Sequence, residues 1–376
     1  MTKEFSESNK LSKEIWHCFK CMLMCKSVCT THSFTRKEQH SLHARITMLE
    51  LARRGIRELD NKLVENQYHC TLCGLCKEWC ATKQNFREIQ KAFRADIVSL
   101  GQAPPKVLEI EKNLITTKNP YGEPPQKHHL PDSTIGTDSD IAIFIGCKVA
   151  YKPKTQNLAK TVKEIFDTAK IHYTFLDDEW CCGGLASDLG LENTANEEAE
   201  HNAKIIRATG ARTLVTLCPR CAYSFKFDYP EWNIQLNIPV LHYTEFLNQL
   251  LDERKITLKK PLPETINYHD PCVLGRGLEV YKAPRDILRQ VPQLKLVEMN
   301  WNRQKSLCCG AGGGYSLTNP KEASEIGYRV VKEAIRTGAG TLTVACPGCE
   351  LNFALPTEKS GKIQLRNLAE IVKAAM

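Results

Sequence analysis

Between Ile141 and Gly146 the chain runs Ile-Ala-Ile-Phe-Ile-Gly, an unbroken apolar stretch closed by a glycine, which is the pattern of a short strand buried on both faces. The period then changes. Leu158, Val162, Ile165 and Phe166 recur at helical spacing within 155–169, a second apolar run covers 172–176, a helical pattern covers 195–209, and a third strand pattern covers 213–217. The same course is run again downstream: strand 265–269, helix near 283–289, strand 295–299, helix 321–337 and strand 341–345. Strands alternating with helices predict parallel sheets covered by helices. The expected fold class is therefore α/β, with two tandem repeats whose parallel sheets are related by pseudo-twofold symmetry.

Upstream of the repeats, Leu42, Ile46, Leu49, Ala52, Arg53 and Ile56 fall at helical spacing and 88–100 forms another amphipathic helix, which predicts a small α-rich module. From 101 to 140 the periodicity fades and prolines accumulate (Pro104, Pro105, Pro120, Pro124, Pro125, Pro131), as in a linker laid along a surface. The expected units are 1–100, a proline-rich linker over 101–140, a first repeat over 141–255 and a second over 256–376.

Composition narrows the class. The 42% apolar fraction is enough for such cores, but the longest aliphatic run, 141–145, is far too short to cross a bilayer. The N-terminus, Met-Thr-Lys-Glu-Phe-Ser-Glu, has neither the apolar stretch of a secretory signal nor the arginine-rich character of a transit peptide. A cytoplasmic protein is expected, soluble or peripheral to a membrane complex. The formal charge of +8 comes from 51 basic and 43 acidic residues spread along the whole length, with no basic block interleaved with aromatics, so nucleic acid is not an expected partner. The excess is either a solvated surface or a basic patch for an acidic partner or anionic substrate.

Cysteine changes the picture most. There are 18 in 376 residues, too many and too widely spread for the disulfide framework of a small secreted domain, and in a reducing compartment they point to metal. Ten form a duplicated frame: Cys147, Cys181, Cys182, Cys218 and Cys221, then Cys272, Cys308, Cys309, Cys346 and Cys349. The intervening gaps are 33, 0, 35 and 2 residues in the first copy against 35, 0, 36 and 2 in the second. Five thiolates exceed what a tetrahedral zinc takes and are odd for disulfides, so each frame suits a multi-iron cofactor held by soft ligands. Every group in the frame follows a predicted strand end, and ligands of open parallel sheets collect outside those ends.

Local motifs admit other readings. Cys218-Pro-Arg-Cys221 and Cys346-Pro-Gly-Cys349 could each be a thioredoxin-type dithiol, but a dithiol gives no reason for three more cysteines at matched distances. Gly310-Ala-Gly312-Gly-Gly314 looks like a phosphate cradle, yet directly after two ligating cysteines it better supplies close backbone approach and N–H donors to sulfur. Gly183 would act likewise in the first copy, so Gly183, Gly310 and Gly312 are candidate cofactor-contacting residues. His269-Asp270 before Cys272 is either a proton donor or a structural turn.

The other eight cysteines lie in the N-terminal module as two runs, Cys18, Cys21, Cys25, Cys29 and Cys70, Cys73, Cys76, Cys80. The second is C-x2-C-x2-C-x3-C, the ferredoxin-type spacing in which three thiolates hold one [4Fe-4S] cube and the fourth completes the neighbouring cube. Cys18, Cys21, Cys25 and Cys80 are then expected to hold one cube, and Cys29, Cys70, Cys73 and Cys76 the other. The first run has one extra residue between Cys21 and Cys25, and Thr30 and Ala81 replace the proline that usually follows the fourth cysteine. Zinc ribbons also use C-x2-C pairs, but eight thiolates in two runs of four suit cubes better. His17 and His69, each beside a leading cysteine, are read as packing residues.

The duplicated frame with its Cys-Cys-Gly and Cys-Pro-x-Cys elements resembles the cysteine-rich CCG domains of heterodisulfide reductase. With two cube-binding runs in front, the chain is similar to that enzyme's D-type subunit family over nearly its full length, and Asn119-Pro-Tyr-Gly122 is similar to a segment these proteins carry. The resemblance implies that each five-cysteine frame holds a noncubane [4Fe-4S] cluster. It implies that two cubanes feed electrons inward singly, and that the noncubane pair splits a disulfide between them, each taking one sulfur, without a side-chain nucleophile. It also implies partners, a flavoprotein or other redox subunits in a hetero-oligomeric complex. The same architecture occurs in iron-sulfur subunits accompanying glycolate oxidase and anaerobic glycerol-3-phosphate dehydrogenase, so a purely electron-relaying role stands beside disulfide reduction.

Overall fold

The computed structural model describes residues 5–21, 25–124 and 139–376. Two four-stranded parallel sheets form its frame. The first contains β1 (Ile141–Phe144), β2 (Tyr173–Phe175), β3 (Thr213–Thr216) and β4 (Val240–His242), and the second β5 (Thr265–Tyr268), β6 (Lys295–Leu296), β7 (Thr341–Val344) and β8 (Gln364–Asn367). The spatial order is β2-β1-β3-β4 in one and β6-β5-β7-β8 in the other, so the two sheets share one topology. Ile141 lies opposite both Tyr173 and Thr213, and Ile266 opposite both Leu296 and Thr341. All four residues of β1 and of β7 are buried, which is why these strands are apolar without alternation. The chain is an α/β protein of two tandem repeats, as expected.

The repeats pack by exchange of equivalent helices. Tyr243–Asp252 of the first repeat lies on Lys282–Arg289 of the second, and Pro153–Thr168 of the first lies on Leu368–Ala375 of the second. Each pair joins the helix after the first strand of one repeat to the last helix of the other, which is what a pseudo-twofold relation produces. One apolar core therefore spans both repeats, with Val162, Phe166, Leu247 and Leu250 from one side and Ile287, Leu288, Leu368 and Ile371 from the other. Separate cores fill the outer faces of the two sheets.

Two strands escaped the sequence pattern. β4 and β8 are edge strands of three and four residues, too short for a period to register. Their signal lay elsewhere, in the helix start that follows each: His242 with Glu245, and Asn367 with Glu370, form the reciprocal capping boxes of equivalent helices. The N-terminal module is helical as expected, with Ser12–Phe19, Leu42–Arg53, Asn61–Tyr68 and Phe86–Ser99 packed around Ile15, Ile46, Leu49, Leu63 and Phe93.

The segment 101–140 needs correcting. It carries a regular helix, Pro105–Thr117, that buries Val107, Ile110 and Leu114 against the first repeat beside Ala186 and Leu189. Its prolines misled because Pro105 sits at the first helical position, where a missing N–H costs nothing and the fixed φ favours the helix. Pro125 and Pro131 lie outside the described residues. Among the described residues no helix is long and apolar enough to cross a membrane.

Helix Phe86–Ser99 joins the module to the first repeat through charge. Arg220 donates to Asp188 at 2.9 and 3.0 Å and to Asp228 at 2.7 Å, while Lys91 reaches Asp228 at 3.4 Å and Arg87 reaches Asp188 at 3.3 Å. Burial alone would raise the Asp228 pKa, but Arg220, Lys91 and Arg87 together outweigh it and hold the carboxyl below the usual range. Its stabilising contribution is therefore complete above the unfolded value of about 3.9 and lost as pH falls below it. Asp228→Asn should strand a buried cation and destabilise the fold by about 3 kcal/mol or more near neutral pH. Urea unfolding of both proteins between pH 7 and acid should show that difference shrink on acidification.

Candidate metal centres

Both sheets have the order in which the first strand is central and the chain leaves it in opposite directions, so a crevice opens at the carboxyl ends of β1 and β3, and of β5 and β7. Cys147 and Cys218 sit at the first switch point and Cys272 and Cys346 at the second. Cys181-Cys182 and Cys308-Cys309 arrive from the loops after β2 and β6. Cys221 and Cys349 lie one turn into the helices that begin at Pro219 and Pro347, for which Cys218 and Cys346 are the N-cap residues. Sulfurs separated by about 75 positions of sequence thus converge in each repeat.

Within the first frame, the thiols form an unbroken string of interacting neighbours: Cys147 to Cys181, Cys181 to Cys182, Cys182 to Cys221 and Cys221 to Cys218. The second frame repeats it from Cys272 through Cys308, Cys309 and Cys349 to Cys346. The strings meet because Cys218 and Cys346, equivalent residues, are themselves close enough to interact. The pseudo-twofold axis passes between those two sulfurs. A chamber lined by nine of the ten frame cysteines, all but Cys308, occupies the junction.

In the module, Cys18, Cys21, Cys25 and Cys80 line one cavity, and Cys29, Cys70, Cys73 and Cys76 line another. Each set takes three thiols from one run and the fourth from the other. Left-handed backbone at Leu72 and Gly74 curls the second run around its cavity. Cys18 is pushed up to about 12 by burial and then by Cys80, Cys25 and Cys21, and Cys25 to about 11 by burial and then by Cys29 and Cys21. Thiols packed this closely resist ionising together unless a cationic centre is shared among them.

The surroundings carry the opposite charge. Arg45 is 1% exposed, and for it burial is outweighed by the thiolates of Cys70, Cys29 and Cys76. Arg276 faces Cys73, Cys272 and Cys308. Arg45 Nε and Arg276 Nη2 have no hydrogen-bond partner. Guanidinium groups buried in this way, with sulfur as their counter-charge, fit an anionic iron-sulfur centre at the second set. No three Cys, His, Asp or Glu side chains among the described residues are posed around a single metal ion. The frame thiols are strung out rather than gathered tetrahedrally.

A family model described as a cysteine-rich domain, CCG, matches residues 141–226 and 266–354. The chain is 34% identical over 323 residues to the D-type subunit of a dihydromethanophenazine:CoB–CoM heterodisulfide reductase of Methanosarcina barkeri, covering 83% of this chain and 78% of that one. It belongs to the CCG family. The B-type subunit of a fumarate reductase (CoM/CoB) of Methanothermobacter marburgensis is 29% identical, with 83% of this chain and 62% of that one covered. The crystal structure of a hypothetical protein from Helicobacter pylori shares the fold over 99% of this chain and 76% of that one, at a TM-score of 0.63 and 13% identity.

The CCG repeats are not equivalent toward the module. Cys308 of the second interacts with Cys73 and lies 3.4 Å from Thr71 Oγ1. In the first repeat the equivalent Cys181 instead donates its backbone N–H to Lys118 O at 3.0 Å. Arg276 Nε donates to Cys73 O at 2.7 Å, and the fully buried Arg94 donates to Gln67 O, Cys70 O, Asp188 O and Gly313 O, one group binding the module and both repeats. Neither arginine nor Thr71 was marked by any sequence pattern.

The glycines of the CCG repeats act differently from one another. Gly310 N and Ala311 N lie 3.3 and 3.5 Å from Cys308 Sγ and Cys309 Sγ, the N–H donation to sulfur expected of this loop. A methyl group at Gly310 would come 2.5 Å from Ala323 O, and one at Gly183 would come 2.7 Å from Ala195 O, so both also permit a following helix to close on the Cys-Cys turn. Gly312 faces the module, 2.5 Å from Thr71 O in the same sense. His69 packs on His40 at 3.9 Å and meets Tyr315 Oη at 3.2 Å, while His17 lines the first module cavity. Asp270 is a structural residue: Arg285 grips both its oxygens at 2.7 and 2.8 Å.

Gly312→Ala should push the module from the second repeat, costing about 1–3 kcal/mol. Thermal unfolding would register the loss, and hydrogen exchange should place it at residues 69–76 and 306–315.

Proposed function

We propose that this chain is the iron-sulfur oxidoreductase subunit in which electrons pass from two cubane clusters to two noncubane clusters and there reduce a disulfide. The observation that carries this reading is the continuous run of neighbouring thiols from Cys73 through Cys308 and the second frame to Cys346, Cys218 and the first frame, with a chamber at its centre. Cys18, Cys21, Cys25 and Cys80 would hold the outer cubane and Cys29, Cys70, Cys73 and Cys76 the inner one. Cys147, Cys181, Cys182, Cys218 and Cys221, and Cys272, Cys308, Cys309, Cys346 and Cys349, would hold the noncubane pair. When bound, such clusters supply one-electron steps and iron that takes up sulfur. The polypeptide contributes the rest: Arg45 and Arg276 neutralise thiolate charge at the inner set, Gly310 and Ala311 donate N–H groups to sulfur, and Arg94 fixes the separation of the units.

The order of the sets gives the route a direction in space. Cys21 is exposed, whereas Cys308, Cys309, Cys181 and Cys182 are buried, so the outer cubane is where a redox partner would meet the chain. That partner would be a flavoprotein or other redox subunit of a cytoplasmic or membrane-peripheral complex. Relation to the B-type subunit of a fumarate reductase (CoM/CoB) supports a second reading, an electron relay in a larger flavin-containing enzyme that ends at another acceptor.

Anaerobic chain with full iron, supplied with reduced viologen and a panel of disulfides, should form thiols with two viologens oxidised per disulfide. Absence of turnover with every cluster detected by EPR would overturn disulfide reduction in favour of the relay. Cys182→Ala and Cys80→Ala should each lose about one cluster's iron, the first from a noncubane and the second from a cubane signal; unchanged iron would refute the ligand sets.

A further inference from the structure

The two repeats differ in charge at two pairs of equivalent positions facing the chamber. Lys148 follows Cys147 in the first repeat, and its counterpart after Cys272 is Val273. Arg220 stands between the cysteines of Cys218-Pro-Arg-Cys221, and its counterpart is Gly348. These replacements are complementary in space. A methyl group at Gly348 would lie 3.1 Å from Lys148 Cε, so the lysine of one repeat fills the room left by a missing side chain of the other. Lys148 thus crosses the pseudo-twofold boundary at the chamber wall.

Its neighbours are sulfur and a phenol. Tyr121 and the sulfurs of Cys147, Cys218 and Cys346 surround the Lys148 amine. Tyr121 is set there by the Asn119-Pro-Tyr-Gly122 turn, in which buried Asn119 accepts from Tyr121 N at 3.0 Å and donates to Thr117 O and Glu123 O at 2.8 Å each. The other cations on the chamber wall, Arg87 and Arg220, are spent on Asp188 and Asp228. Lys148 makes no ion pair with a carboxylate among the described residues, so its charge faces the chamber.

We propose that Lys148 stabilises the negative charge that accumulates in this chamber, both on the two cysteine frames and on the sulfurs of a disulfide divided between them. The second part rests on the function proposed above. There, R–S–S–R′ gains two electrons, one at a time, from a low-potential electron carrier; the S–S bond breaks, and two thiolates form that take protons from solvent on leaving. A fixed cation beside two anionic sulfurs lowers their energy, and one ammonium placed between equivalent frames serves both.

The test compares Lys148→Met, Lys148→Arg and the parent chain, each with matched iron content. An EPR-monitored redox titration should place the frame signals of Lys148→Met at more negative potential, with Lys148→Arg close to the parent. Turnover with an uncharged disulfide should fall about 100-fold in kcat for Lys148→Met, with KM moved far less and substantial rescue by arginine. Coincident midpoints for the methionine variant and the parent overturn the proposal. Should the methionine variant fail to assemble, Lys148→Gln against Lys148→Arg gives the same comparison. If the parent reduces no disulfide, the proposed function fails while the potential shift still decides the role of Lys148.

Discussion

The buried guanidinium of Arg94 is the point on which the arrangement of the three units depends. It is closed off from solvent, and it spends its donors on carbonyls of Gln67 and Cys70 in the module, Asp188 in the first repeat and Gly313 in the second. Burying such a charge costs several kcal/mol unless its hydrogens are satisfied and a counter-charge is near. Here the carbonyls satisfy it; burial still holds its pKa below the ordinary value, with Cys70 the first of the groups that oppose that shift. The guanidinium that bonds to Cys70 O in the second cysteine set also clamps that set against both repeats.

That clamp breaks the symmetry that gene duplication would leave. Two frames of equal spacing grow from two sheets of equal topology, and their equivalent residues Cys218 and Cys346 meet on the axis. Among the described residues the second frame meets the module through Cys308, Cys73 and Thr71, while Cys181 of the first shares an apolar core with Val64, Tyr68 and Ile97. The first frame is instead backed by acids. Glu179 accepts from Ile145 N and Gly146 N at 2.7 and 2.5 Å and is raised to about 8 by burial, and Glu198 is buried with neither carboxyl oxygen paired. Arg45 and Arg276 stand at one end of the sulfur string, and Glu179 and Glu198 with the ion-paired Arg220 at the other.

Packing explains why so many polar residues went unmarked. Helix Phe86–Ser99 has the amphipathic pattern of a surface helix, yet Gln90, Lys91, Arg94 and Asp96 are as buried as Phe93 and Ile97. Arg87, Lys91 and Arg94 meet the repeats through hydrogen bonds and ion pairs, while Gln90 bonds to Gln67 and Asp96 accepts from Glu7 N and Ser8 N within the module. A polar face signals solvent in an isolated helix and an interface in this one; the sequence is identical in the two cases. The helix over Pro105–Thr117 went unread for a related reason, since prolines that end most helices can also begin one.

What the amino-acid order settled by itself was whatever depends on local spacing. Cysteine intervals, strand ends and helical periods are one-dimensional quantities, and from them followed the α/β repeats and the positions of the frames after the strands. Tertiary structure decided what depends on which surfaces face each other: that Cys218 meets Cys346, that Cys308 rather than Cys181 meets Cys73, and that Lys148 fills the space above Gly348. Those contacts join residues far apart along the chain, and no interval in the sequence records them, because their geometry is set by how helices pack across the pseudo-twofold axis.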